Sequence, residues 1–261
     1  MGLAYLFFAQ SRMIYFPQPS SPEVVAAFVQ GGGQRVDYET REGRQTAWLL
    51  PAVGNRVPER LWIVCAGNAS QALSFADLQG SAGLEQDAFL LVDYPGYGVS
   101  TGKASPATIR ESIRGAVPLA AKATGFPLEE IGTRGVVFGH SLGAAAALLG
   151  AEEFGVKRAV LLSPFTNTMD MARLILRAPL GWLVTHRFDN RARLASLKKR
   201  GGHVWIFHGA QDEVIPVTMG RSLANEMGAA ATFREISGSR HNDLLEKGGE
   251  EILQTMREAR R

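Results

Sequence analysis

Gly139-His140-Ser141-Leu142-Gly143 joins the β-rich run Gly135–Gly139 (GVVFG) to the alanine-rich stretch Leu142–Phe154 (LGAAAALLGAEEF). A short apolar run of this kind reads as a strand buried on both faces, and the longer stretch after it reads as a helix. The chain therefore turns from strand to helix around a single serine. Such a turn closes only where neighbouring side chains are absent, which accounts for glycine at both ends of the pentad. It lifts the Ser141 hydroxyl into the open and sets it at a helix N-terminus, where the dipole favours developing negative charge. Ser141 is the expected nucleophile.

On either side of this turn the same alternation recurs. Apolar runs fall at Leu61–Ala66 (LWIVCA), Ala88–Asp93 (AFLLVD), Ala159–Ser163 (AVLLS) and Val204–Phe207 (VWIF), with a more alternating one at Thr232–Ile236 (TFREI) that suits an edge strand. Two earlier strand candidates, Arg35–Thr40 and Thr46–Leu50, flank the turn-forming stretch Arg41–Arg44. Helix candidates cover Pro106–Ala123, Leu142–Phe154, Thr218–Glu226 and Asp243–Ala259. Strand and helix in alternation predict a doubly wound, mostly parallel α/β sheet. Asn167–Arg200 departs from the rhythm, being helical and strandless, and rich in Met169, Met171, Leu174, Ile175, Leu176, Leu180, Trp182 and Leu183. It is the expected lid, over about 167–200, because insertions after a strand lie above the strand C-termini where ligands bind. The domain itself is expected over 23–261, after an apolar leading segment and linker at 1–22.

A serine hydroxyl needs a base. Five histidines compete. His140 is expected to point into the sheet, His203 and His208 to be packed beside a strand, and His186 to be exposed in the lid. His241 follows the last strand in the loop Ser237-Gly238-Ser239-Arg240, on the same rim as Ser141, and is the expected base. The acid falls between serine and histidine in chain order in this type of fold. Asp212, just after Val204–Phe207, is the expected acid, holding the imidazole in one tautomer. Glu213 is its nearest competitor, Asp243 is expected to cap the last helix, and Asp189 to cap a lid helix. The oxyanion calls for two backbone N–H groups. One is that of Leu142; the other comes from Gly67-Asn68-Ala69-Ser70, with Asn68 preferred and Ala69 left open. Asp93-Tyr94-Pro95-Gly96-Tyr97-Gly98 is glycine-rich, but Thr101 stands where a dinucleotide fingerprint needs glycine, so the segment reads as a turn shaping the site rim.

Composition narrows the function classes. The chain has 261 residues, 46% of them hydrophobic and 20% charged, which suits one α/β domain with a sizeable core. Its one cysteine, Cys65, forbids an intrachain disulfide, leaves cytosol or periplasm open, and reads as a small core residue. No His/Cys spacing resembles a zinc site, and neither metal nor organic cofactor is expected. The net charge of +3, with basic stretches at Arg187–Arg200 and the C-terminus, reads as solvated helix faces rather than a nucleic-acid surface. Gly2–Ala9 (GLAYLFFA) is much shorter than the ~20 residues of a span. Two readings of it stay open: the lower end of a membrane anchor, or a short helix folded onto the domain. Oligomeric state is unread.

Taken together, Ile14–Pro17 (IYFP), Gly67-Asn68-Ala69, Asp93–Gly98, the serine pentad, Ser163–Thr166 (SPFT), His208–Asp212 (HGAQD) and His241-Asn242-Asp243 resemble the compact α/β-hydrolases. These include membrane-anchored depalmitoylase-like proteins and serine-aminopeptidase-like or prolyl-oligopeptidase-like domains. One departure stands out: Ala66 replaces the usual histidine before Gly-Asn-Ala, which bears on how the oxyanion loop is bonded. The resemblance implies cleavage of a carboxylic ester or thioester through an acyl-enzyme, with a small-molecule acyl substrate and possible membrane association through the N-terminus. A peptidase or amidase is the second expectation, disfavoured because the lid is basic and holds only Asp170 and Asp189 to receive an amine. A hydrolase-like scaffold without turnover is the third.

Overall fold

The computed structural model describes residues 10–12, 14–54, 56–176 and 183–260. Gly2–Ala9, Leu180 and Trp182 lie outside the described residues. After the helix α1 (Pro22–Gln30), an antiparallel hairpin of β1 (Gln34–Thr40) and β2 (Gly43–Leu50) leads into β3 (Leu61–Cys65) and β4 (Ala88–Val92). There follow α2 (Pro106–Thr124), β5 (Gly135–His140), α3 (Leu142–Phe154), β6 (Arg158–Leu162), α4 (Thr168–Leu176), α5 (Asn190–Lys199), β7 (His203–Gly209), α6 (Val217–Met227), β8 (Ala231–Ile236) and α7 (Gly249–Ala259). The eight strands form one sheet in the order β1-β2-β4-β3-β5-β6-β7-β8. Every pairing from β4 to β8 is parallel. The strand expectations hold to within a few residues, and the alternating run 231–236 lies at the edge, as its polarity required.

Strand pleating divides the core. Leu61, Ile63 and Cys65 face the layer built by α2, α3, α5 and α6, while Trp62 and Val64 face the layer of α1 and α7. Each such side chain is essentially fully buried, contributing on the order of 2 kcal/mol. Helix α3 is buried along nearly all its length, which is why its sequence carries alanine on every face.

Four expectations need correction. The expected lid divides: α4 is partly open, with Leu174 and Ile175 exposed, whereas α5 buries Leu194 and Leu197 in the core as the β6-to-β7 crossover helix. Its leucines face the sheet, so composition alone grouped it wrongly with α4. The expected Asp243–Ala259 helix is two pieces, Leu244–Lys247 and α7, parted at Gly248, whose Cα lies so close to Ile236 and Leu244 that any side chain would crowd them. Asp243 does not cap a helix through its side chain; its Oδ1 accepts from Arg240 N and Ser239 Oγ and so closes the His241 loop. The stretch expected as a linker is packed on the domain: Tyr15 and Ser20 are buried, Ser20 N bonds Gly98 O, and Pro22 opens α1 behind the capping hydroxyl of Ser21. Asp189 caps α5 as expected, accepting from Ala192 N at 3.0 Å. Among the described residues no helix is long and apolar enough to cross a membrane.

Candidate active site

The connections that follow the neighbouring strands β3 and β5 run in opposite directions, from β3 to β4 and from β5 to β6. In open α/β sheets the crevice at such a switch is the natural binding site. Here Cys65 pairs with Gly139, so the Gly67–Ser70 loop and the Ser141 turn issue side by side from neighbouring strand ends. That approach accounts for Gly143, and the tightness of the turn itself for Gly139. A Cβ on Gly143 would sit 2.1 Å from Cys65 O, and one on Gly139 2.1 Å from Gly143 O. Ser141 itself is held at φ 58°, ψ −118°, a strained conformation for a side-chain-bearing residue.

The three expected reactive side chains meet on this rim. Ser141 Oγ lies 3.0 Å from His241 Nε2, and His241 Nδ1 lies 2.8 Å from Asp212 Oδ2. A carboxylate accepts, so Nδ1 carries the imidazole proton and Nε2 presents a lone pair to the hydroxyl. The loops after β7 and β8 bring acid and imidazole together because those strands are neighbours: Gln211 N donates to Ser239 O at 2.8 Å, and Ala210 N to Ile236 O at 3.0 Å. Asp212 Oδ1 accepts from Val214 N and Ile215 N. Burial opposes its charge, but bonds from His208, His241 and Ile215 N outweigh that and hold the carboxyl far below the ordinary range. Glu213, the competitor, takes a different place: its carboxylate accepts from His241 N and pairs with Arg240.

Two further histidines take part. His208 is fully buried, with Nε2 2.8 Å from Ile215 O and 3.4 Å from Asp212 Oδ2. Facing a carbonyl, Nε2 must donate, and Nδ1 is left buried with no hydrogen-bond partner among the described residues. His140 does not point into the sheet as expected. Its ring lies 4.9 Å from that of His241, and its Nε2 donates to His241 O at 3.1 Å. Burial, then the neighbouring His241, push its pKa down to about 4. His208 is expected from the sequence to pack beside a strand, and its four-residue spacing from Asp212 is the signal that could have placed it here; His140 adjoins Ser141 in the pentad, but nothing in the sequence aims its ring at His241. His186, expected to be exposed, is half-buried against Tyr15 OH, and His203 is half-buried beside Thr232.

On the other side of Ser141, Leu142 N–H is the first of α3 and has no carbonyl four residues back within the helix. Ala69 N, the alternative, is turned inward onto Asn68 Oδ1 at 3.1 Å. Asn68 N–H has no hydrogen-bond partner among the described residues. The turn at 93–98 supports this loop: Tyr94 OH donates to Ala66 O at 2.7 Å and Tyr97 OH to Asn68 Oδ1 at 2.7 Å. The buried Asp93 anchors that turn through Trp48 Nε1 and Ala72 N. A cavity of about 850 Å³ opens over Ser141 and His241, walled by Ile14, Phe16, Phe75, Met171, Ile175 and Leu244. None of the described residues lining it is an aspartate, glutamate, lysine or arginine.

A parallel sheet with a serine at its strand-to-helix turn defines a class, and the chain belongs to it: residues 54–254 match the model of the alpha/beta hydrolase family. An uncharacterized protein of Mycobacterium tuberculosis is 29% identical over 259 residues, 98% of this chain and 88% of that protein. Alpha/beta hydrolase domain-containing protein 17C of Homo sapiens is 27% identical over 152 residues, 58% of this chain but 43% of its own length. Among solved structures, an alpha-beta hydrolase from Vibrio vulnificus superposes with a TM-score of 0.69 at 18% identity, covering 97% of this chain and 92% of that one. An esterase from Pyrococcus furiosus gives 0.68 at 14%, covering 94% and 97%. These two share the fold.

Proposed function

We propose that the protein is a serine hydrolase of carboxylic esters or thioesters with an apolar acyl group. The observation that carries this reading is the bonded chain Ser141–His241–Asp212 opening onto an uncharged, mostly apolar cavity. Ser141 Oγ attacks the acyl carbon as His241 Nε2 takes its proton, and the negative charge on the former carbonyl oxygen rests on the N–H groups of Leu142 and Asn68. The tetrahedral intermediate collapses, His241 returns the proton to the departing alcohol or thiol, and Ser141 keeps the acyl group. Water, deprotonated by the same imidazole, then releases the acid and restores Ser141. Asp212 stays ionised throughout and stabilises the imidazolium. An aminopeptidase would need a carboxylate for the substrate amine, and none lines the described part of the cavity.

Labelling with a fluorophosphonate probe and locating the adduct by mass spectrometry tests the nucleophile. The expected result is an adduct on Ser141, absent in Ser141→Ala, and turnover of nitrophenyl esters that exceeds turnover of an aminoacyl nitroanilide. A folded parent protein that neither labels nor hydrolyses any ester would bring forward the scaffold reading.

A further inference from the structure

The Gly67–Ser70 loop is fastened chiefly by one side chain. Asn68 Oδ1 accepts from Tyr97 OH at 2.7 Å, Phe16 N at 2.9 Å and Ala69 N at 3.1 Å, while its Nδ2 donates to Ile14 O at 2.5 Å. Phe16 N also reaches Tyr97 OH, at 3.2 Å, which closes a triangle of bonds. The amide can face only one way, because a flip would set its NH₂ against two backbone N–H groups. Ala69 sits at φ 53°, with its N–H drawn back onto the side chain before it. That leaves Asn68 N–H as the loop donor beside Leu142. The residues at the other end of these bonds, Ile14 and Phe16, wall the same cavity.

We propose that Asn68 and Tyr97 clamp the leading segment Ile14–Phe16 to the oxyanion loop, so that the segment walling the acyl cavity also fixes the backbone donor. This rests on the serine-hydrolase reading of Ser141. Asn68 acts twice, through its backbone on the substrate oxygen and through its side chain on the clamp. Tyr97 is not among the described residues lining the cavity and is a positioning residue. An acyl chain seated against Ile14 and Phe16 bears on the clamp, so acyl chain length is read in kcat as well as in KM.

Kinetics of the full chain on nitrophenyl acetate and a longer-chain ester decide it. Turnover by the parent and its loss in Ser141→Ala must come first; if the parent turns over neither ester, the hydrolase reading fails and the clamp is not what failed. Phe16→Ala and Phe16→Pro then share the loss of the ring and differ in the N–H that reaches Asn68 and Tyr97. The proline variant is expected to have a kcat on the acetyl ester about tenfold below that of the alanine variant, at similar KM. Tyr97→Phe is expected to lose about tenfold in kcat on both esters with KM held. Equal kcat for the two Phe16 variants, together with a Tyr97→Phe kcat within about twofold of the parent, would overturn the proposal. Should Phe16→Pro not fold, Tyr97→Phe decides alone, its fold checked by circular dichroism.

Discussion

The two sides of Ser141 are built by different means. On the His241 side, two neighbouring strands end in two loops that bond to each other through backbone groups, and Asp212 and His241 stand on them 2.8 Å apart. On the Asn68 side, each fastening of the loop runs through a side chain: Tyr94 OH to Ala66 O, Tyr97 OH to Asn68 Oδ1, and the Asn68 amide to Ile14 O and Phe16 N. A backbone-built arrangement follows from strand order and tolerates many side chains. A side-chain-built one depends on particular hydroxyls and amides, and each of them is a separate point of failure.

The largest test of the first side is Asp212→Asn. The amide keeps the shape but presents NH₂ or a neutral oxygen to His241, so the imidazole loses its tautomer and its counter-charge. Under the proposed mechanism kcat is expected to fall by about 10⁴ while the protein stays folded. A loss under about tenfold on nitrophenyl esters would mean that the acid lies elsewhere, with Glu213 the next residue to test. Next comes Gly143→Ala, which strikes where the two sides touch. Its Cβ would meet Cys65 O at 2.1 Å and Ala66 O at 2.5 Å, both backbone atoms, so the strand or the turn must shift. A loss of about 4 kcal/mol or more in urea unfolding is expected. Near-parent stability would show that the turn relaxes without harm.

The same contrast explains what the sequence disclosed. Ser141, Asp212 and His241 were legible because each follows an apolar run at a strand end, and chain order in this fold supplies the rest. The sheet was legible because its central strands are apolar on both faces. The parts that stayed hidden depend on side chains meeting across long separations. Nothing local to Asn68 says that its amide bonds Ile14, Phe16 and Tyr97. Nothing in His140 says that its imidazole reaches His241 O, since the two lie 101 residues apart. Helix α5 was misassigned to the lid because its buried leucines, Leu194 and Leu197, are outnumbered by charged neighbours; which way they face is set by the sheet, not by the helix. Helix α1 is not expected from the sequence although Ser21-Pro22 is a start signal, because the proline-rich sequence before it reads equally well as a linker.

A middle-sized effect separates His140 from the rest of the His241 side. Its folded pKa of about 4 lies below the ordinary histidine value, so the native state resists a proton that the unfolded chain accepts. Above about pH 6.5 both states are neutral and the group is silent. As pH falls from there toward 4 the unfolded state gains, by up to about 3 kcal/mol if the shift is fully realised. His186 and His203, also held low by burial, act in the same window with the same sign. Asp212 acts in another: its depressed pKa adds stability that is complete above the unfolded value and is lost only as pH drops below about 4. His140→Gln keeps a donor for His241 O and removes the titration. Its urea midpoint is expected to fall less than the parent's between pH 7 and 4.5, and parallel curves would show that His140 is protonated in the native state.

The smallest expected effect concerns Ala66, where the resemblance to the compact α/β-hydrolases leads one to expect histidine. Its carbonyl is not left to the loop; the buried Tyr94 hydroxyl donates to it at 2.7 Å from beneath. Tyr94→Phe keeps the ring and removes that one bond, at a cost of about 1 kcal/mol and at most a few-fold in kcat. The value lies in combining it with Tyr97→Phe. If the two tyrosines fasten the loop independently, their effects on kcat multiply even though their rings pack edge-to-face, 5.3 Å between centroids. If the loop is one rigid piece fixed at two points, the first loss frees it and the second adds little. A double variant no slower than Tyr97→Phe would therefore mean one rigid loop that needs both fastenings, whereas a multiplicative loss would make Tyr94 and Tyr97 separate fastenings.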